Sequence, residues 1–488
     1  MSDSVHPVHP GRPHVAVIGG GISGLAAAHR LTGGGVRVTV LEGSGRVGGK
    51  LYAGEIAGMP VDLGAESVLA RRTEAVDLAR AVGLGDRLQA PAATALLWTR
   101  GTLRPLPGGH MMGIPGDLAP LAASGVLSPE GLARVAGDAT LPPLDLGEDV
   151  ALGELVAARM GREVVDRLVE PLLGGVYAGD ALRISLRAAV PQLFEAARHA
   201  PSLGEAVRQL QARAAAAPSS GPVFQGIEGG IGTLPLAVAD AVRARGGVIR
   251  TGAPVTGLAR TGDGWRVELP GGEVLAADAV VLAVPAPDAA RILARAARAA
   301  GAGTAVDELA GVEYASMALV TMAFRRSDVE GLLHGSGFLV PPVDGRTIKA
   351  STFSSNKWRW NADADPDVFV LRTSVGRHGD DAGLELPDAE LVARSLTDLG
   401  DAVGLAAAPL ETRVTRWDGG LPQYPVGHVA RVARIREHVA RLPGVRVCGA
   451  VYDGVGIPAC IASAYRAAGE ILADLAAPAG GPRHGRGE

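Results

Sequence analysis

Glycines 19, 21 and 24 stand in G-x-G-x-x-G spacing near the start of this 488-residue chain, and no other residues speak so directly of chemistry. They follow His14–Ile18, a short apolar run suited to a buried strand, and precede residues 25–31, which have helical composition. In that setting Gly19 permits a tight turn, Gly21 lets the backbone approach a pyrophosphate, and Gly24 lets the helix pack closely on the strand. The N–H groups of Gly20, Ile22 and Ser23 then lie at the positive end of the helix, facing phosphate oxygens. A second apolar run, 36–41, ends in Glu42, whose carboxylate falls about 20 residues beyond the turn and can accept hydrogen bonds from ribose hydroxyls. Strand, turn, helix, strand and acid in this order form a dinucleotide-binding fingerprint. FAD and NAD share it.

The elements that hold such a site belong to a multi-lobed globular protein. The length calls for two or three packed lobes, and 47% hydrophobic with 20% charged residues excludes a disordered or collagen-like chain. A net charge of -4 from 47 basic and 51 acidic residues gives no polyanion-binding field, so nucleic acid is not expected as a partner. Cys448 and Cys460 form no metal-ligand pattern, no metal is expected, and a reducing cytoplasmic setting fits. Residues 1–13 lack the apolar core of a signal peptide. Apolar stretches are broken by Gly, Pro, Arg or Asp before reaching the ~18–20 residues needed to span a bilayer, which leaves peripheral membrane contact open.

What distinguishes the two dinucleotides lies just downstream, in Arg46-Val47-Gly48-Gly49-Lys50. This stretch resembles the R-x-G-G-[RK] element of the amine oxidase and porphyrinogen oxidase superfamily of flavoproteins. The resemblance implies FAD, with Arg46, Gly49 and Lys50 beside it. It further implies that Gly64, Ala65, Glu66 and Ser67 run along the flavin and that Val255 meets the adenine through its main chain. Trp417 is implied near the isoalloxazine. Gly449, Val455, Gly456 and Ile457 bring a helix N-terminus to the flavin pyrimidine ring. With neither Cys nor His in the glycine turns, the FAD is expected to be held non-covalently.

Residues 170–180, 351–358, 416–428 and 454–461 resemble, in order and spacing, one branch of that superfamily: the flavoprotein porphyrinogen oxidases of Gram-positive type. Membership implies oxygen-dependent, six-electron oxidation of a cyclic tetrapyrrole, coproporphyrinogen III before protoporphyrinogen IX, with hydrogen peroxide released. The flavin carries the redox chemistry, so no catalytic side chain is assigned. Gly175, Val176 and Tyr177 match the segment that lines the substrate cavity. Arg71, Arg72 and Lys357 stand where propionates require cations. An amine oxidase is the alternative enzyme, although residues 316–324 lack the lysine expected there. A non-enzymatic flavin-binding scaffold is the alternative from another class. Transient contact with ferrochelatase is implied as a partner interaction.

The expected fold class is α/β: a Rossmann-like FAD domain (1–72, 223–290 and 430–475), a mixed-sheet substrate domain (73–110, 175–222 and 291–429), an inserted helical domain (111–174) and a disordered tail (476–488). Residues 73–215 read as largely helical, and 248–258 as one strand.

Overall fold

The computed structural model describes residues 11–216, 221–262, 264–380 and 382–477. The tail expected over 476–488 therefore lies outside the described residues, apart from Ala476, which ends a helix, and Ala477.

The α/β class is borne out by two large sheets. The first has five strands in the order Val248–Arg250, Arg37–Leu41, His14–Ile18, Ala279–Leu282, Val445–Val447, all parallel. Its central strand is buried along its whole length, as a strand covered on both faces must be. One face is covered by helices Ile22–Gly33, Thr233–Ala244 and Ile457–Ala476. The other packs on helices Ala286–Ala299 and His428–Val439 and on Trp265.

The second sheet has seven strands, in the order Glu411–Pro422, Tyr314–Arg325, Val368–Val375, Ile348–Thr352, Gly337–Leu339, Leu96–Thr99, Thr102–Pro105. Only the contact of Gly337–Leu339 with Leu96–Thr99 is parallel. Helix Asp388–Val403 backs this sheet through Leu391 and Leu399. A helical core containing Leu152, Leu168, Leu173 and Leu203 lies beside it.

Two local expectations differ. The stretch 96–105 is a hairpin rather than helix, because Arg100 and Gly101 both take positive φ (54° and 73°) and reverse the chain between two apolar runs. The single strand read over 248–258 is two: Gly252 (φ 63°) and Pro254 interrupt it, and Gly257–Arg260 joins an antiparallel meander instead. Among the described residues, no helix is long and apolar enough to cross a membrane.

Candidate functional site

The glycine turn is as tight as its spacing requires. Gly19 has φ 104°, and a Cβ there would stand 2.5 Å from the Ala283 carbonyl oxygen. A Cβ on Gly24 would stand 1.8 Å from the Gly19 carbonyl oxygen. Gly21 differs in kind, since the nearest atom to its Cβ position is the Gly49 Cα at 3.9 Å. No protein atom crowds that side of the turn. Helix Ile22–Gly33 has Gly21 as N-cap, no side-chain cap and no acid in its first turn. Helix Ile457–Ala476 likewise begins behind Gly456 with no side-chain cap and no first-turn acid. The two helices pack against each other. Each presents a first turn of N–H groups that no side chain satisfies, which suits a bound anion or an electron-rich ring.

Glu42 folds back over the turn, where Oε2 accepts from Gly20 N–H at 2.6 Å and Oε1 from Ser44 N–H at 2.8 Å. Arg46 braces the second glycine pair: its Nη2 donates to the Gly49 carbonyl at 2.8 Å, and its guanidinium stacks 3.8 Å from the Tyr52 ring. Lys50 is exposed, yet surrounding protein lowers its pKa through desolvation. Gly64 passes so close to the Lys50 carbonyl that a Cβ would stand 2.0 Å from it, and Ala65 N–H donates to the same carbonyl. Trp417 donates through Nε1 to the Leu63 carbonyl at 3.0 Å and meets Tyr52 edge to face. Glycines, Arg46, Lys50, the 64–67 segment and Trp417 are thus brought together. Gly449 joins them from the far end of the chain, at φ 127°, with its Cβ position 3.8 Å from Ser23 Oγ. Val255 is buried, and its carbonyl accepts from Arg291 Nη1 at 3.1 Å.

Glu66 has a role that its motif did not reveal. It is fully buried, and its carboxylate receives Trp358 Nε1 at 2.7 Å, Ser354 Oγ at 3.1 Å and Arg372 Nη2 at 2.7 Å, with Lys357 Nζ at 3.5 Å. Burial pushes its pKa up, but Arg372, then Lys357 and the two hydrogen bonds, overcome this and hold it at about 2. Arg372 also donates to the carbonyls of Asp62 and Gly64 at 3.1 and 2.7 Å. Asp62 in turn accepts from Ile231 and Gly232 N–H at 2.9 and 2.8 Å, while burial raises its pKa to about 7. The charge of Lys357, read from sequence as free for a substrate carboxylate, is thereby engaged by Glu66.

Helix Glu170–Tyr177 leaves Gly175 and Val176 exposed, while Gly174 is buried. A Cβ on Gly175 would come no closer to the protein than 3.8 Å from Leu339, and Val176 is 42% exposed. Tyr177 departs from the expected wall: its ring is buried in the helical core, edge-on to Tyr424, and its carbonyl accepts from Gln423 Nε2 at 2.9 Å. The aromatic ring gains more from that core than it would from facing solvent. Arg71 and Arg72 are both exposed beside strand Val68–Leu69, and Arg72 pairs with Glu74 at 2.6 Å. Sequence reasoning missed Tyr52 and Arg372, and read Asp62 only as the start of the segment along the flavin, not as an acceptor for Ile231 and Gly232.

The model of flavin-containing amine oxidoreductases matches residues 22–472. The chain is 38% identical over 465 residues to coproporphyrinogen III oxidase of Mycobacterium tuberculosis, spanning 94% of this chain and 97% of that one. It is 34% identical to coproporphyrinogen III oxidase of Bacillus subtilis, spanning 95% and 99%. A crystal structure from Exiguobacterium, assigned as a protoporphyrinogen oxidase, superposes with a TM-score of 0.83 at 33% identity, covering 95% of this chain and all of that one.

Proposed function

The chain belongs to the flavin-containing amine oxidoreductase family, and within it we propose that it oxidises coproporphyrinogen III to coproporphyrin III with dioxygen. The end-to-end likeness to the mycobacterial and Bacillus relatives carries this reading, since it runs through the substrate side as well as the nucleotide turn.

In this reading the flavin is FAD, with its pyrophosphate at the uncapped start of helix Ile22–Gly33 and its ribose at Glu42. Val255 meets the adenine, residues 64–67 and Trp417 flank the isoalloxazine, and the start of helix Ile457–Ala476 faces its pyrimidine edge. Bound there, FAD would supply the two-electron redox chemistry between a meso carbon of the macrocycle and dioxygen. Three such rounds remove six hydrogens and turn three dioxygen into three hydrogen peroxide. The protein's own part is to orient a large flat macrocycle. Gly175 and Val176 give it a flat wall, and carbonyls at that helix end can accept pyrrole N–H groups as positive charge develops. Arg71 supplies a cation at the rim, joined by Arg72 once it leaves Glu74. The helical lobe takes in Leu186, Leu193 and Leu203, which share the core of Leu152, and helix Glu74–Ala81 packs with the FAD lobe, both beyond the boundaries expected from sequence; the enzyme works in the cytoplasm, and its product passes to ferrochelatase through transient contact.

FAD is held non-covalently in this reading. Cys460, the thiol nearest the second helix start, is buried and its pKa is pushed up to about 11, so it carries too little thiolate to attack a ring. Acid precipitation is expected to leave the yellow colour in the supernatant; a yellow pellet would mean covalent attachment.

The deciding experiment is steady-state kinetics on coproporphyrinogen III and protoporphyrinogen IX with an oxygen electrode. The expected result is preference for the tetracarboxylate and about three dioxygen per macrocycle, the ratio for a two-electron cofactor acting three times. Faster turnover of protoporphyrinogen IX would overturn the substrate assignment. Arg71→Met with Arg72→Met is expected to raise KM for the tetracarboxylate more than for the dicarboxylate at unchanged flavin content.

A further inference from the structure

We infer that Lys349 and Arg377 form a second carboxylate-binding subsite, beside Leu339 and the exposed Gly175–Val176 end of helix Glu170–Tyr177, which takes a propionate present on coproporphyrinogen and absent from protoporphyrinogen. This rests on the function proposed above and deepens it.

Lys349 is a buried cation without an anion. It is 5% exposed, yet among the described residues its amine meets neither a carboxylate nor a hydrogen-bond acceptor. A strand irregularity puts it there. In the pairing of Ile348–Thr352 with Val368–Val375, Ile348 stands opposite Val375 and Ala350 opposite Ser374, so Lys349 is the extra, unpaired residue of a bulge. Its carbonyl accepts from Val340 N–H at 2.9 Å, and the Val340 carbonyl accepts from Arg377 Nη2 at 3.0 Å. Two cationic side chains are thereby gathered around one residue of the neighbouring strand end.

Arg377 is fixed there by its neighbours. His378 N–H donates to the Ala178 carbonyl at 2.6 Å, tying this loop to the end of helix Glu170–Tyr177. Among the described residues Arg377 makes no salt bridge; Glu170 attracts it from a distance while one of its own oxygens, Oε1, is engaged by Ala181 N–H. Desolvation, and then the Arg377 charge, bring the Lys349 pKa down to about 7. A structural lysine would find a carbonyl or carboxylate; this one carries its charge at a cost in the empty protein, which an incoming anion relieves while keeping the amine charged.

The position matches the substrate wall. Gly175 faces Leu339, and Leu339 pairs with Ala350, the residue next to Lys349. An anion anchored at Lys349 would therefore belong to a molecule lying against Gly175 and Val176. The tetracarboxylate has two more carboxylates than the dicarboxylate, and this pair of cations accounts for one of them.

The test is Lys349→Met in the flavin-loaded enzyme, with Lys349→Arg as the charge-keeping control. Binding of coproporphyrin III and protoporphyrin IX is read by fluorescence quenching, together with kcat, KM and the melting temperature. Lys349→Met is expected to melt higher than wild type while binding coproporphyrin III at least about tenfold more weakly, the loss of one charge-assisted contact. Its affinity for protoporphyrin IX should change less than about twofold, and Lys349→Arg should restore most of the preference. Unchanged affinity for coproporphyrin III, equal weakening for both porphyrins, or a lower melting temperature with unchanged affinity would each overturn the subsite. A wild-type enzyme that neither binds nor oxidises coproporphyrin-type ligands would instead overturn the proposed function, and the subsite with it.

Discussion

A Gly21→Val protein is expected to fold normally and to purify colourless. Gly21 sits at φ -70° and ψ 177°, an extended conformation that valine adopts without strain. Its Cβ position has no protein atom nearer than 3.9 Å, so the empty protein loses nothing by the substitution. The side chain would occupy the space at the start of helix Ile22–Gly33 where the pyrophosphate must approach the backbone. Flavin absorbance per mole of protein is expected to fall below about a tenth of the wild-type value, and the melting curve of flavin-stripped protein to stay within about 1 kcal/mol, the range of a benign substitution. Stoichiometric flavin in this variant would remove the phosphate cradle from the site. Gly24→Val is the contrast: with 1.8 Å to the Gly19 carbonyl oxygen, it cannot fit without breaking the turn.

Arg372→Met should have the largest effect on stability. Arg372 holds Glu66 and the carbonyls of Asp62 and Gly64, so its loss strands a fully buried carboxylate with Lys357 as its remaining cation. Breaking a buried pair by removing one partner costs about 3–5 kcal/mol. Chemical denaturation checks this, and a loss under about 1 kcal/mol would show that the network is dispensable. Its pH signature follows from sign. Glu66 is held near 2 against an ordinary 4.5, so its contribution is fully present above about pH 4.5 and is lost as pH falls through 2. Asp62 works in the opposite direction: raised from 3.8 to about 7, it costs stability progressively as pH climbs between those values. Arg372→Met should therefore flatten the acid limb below pH 4.5 and deepen the limb toward pH 7, because Arg372 is one of the groups that hold the Asp62 pKa down.

The nucleotide turn was legible because every part of it is local: two strands, one helix and Glu42 lie within about thirty residues, a distance over which spacing alone constrains geometry. The Glu66 network was not, because Ser354 and Trp358 reach it from 288 and 292 residues away. Nothing in the run around Glu66 distinguishes a carboxylate along a cofactor from one clamped by distant cations. The direction of the Tyr177 ring was hidden for a related reason: the motif fixes where its backbone goes, while the ring obeys the helical core. Lys349 was invisible because a bulge changes which way a strand residue lies without any mark in the alternation of side chains. The hairpin at 96–105 could have been read, since Arg100-Gly101 between two apolar runs is a turn signal in its own right.

The parallel sheet has a consequence for the protein's birth. Its central strand, His14–Ile18, is flanked by Arg37–Leu41 and by Ala279–Leu282, and the latter waits for Val445–Val447. A ribosome adding about 5–20 residues per second needs tens of seconds to cover that separation. Throughout that interval strand Ala279–Leu282 has an open edge, and helix Ile22–Gly33 lacks the helix Ile457–Ala476 against which it packs. Flavin capture therefore waits for helix Ile457–Ala476, and a nascent chain stalled before residue 445 would expose an apolar sheet edge to its neighbours rather than a half-active enzyme.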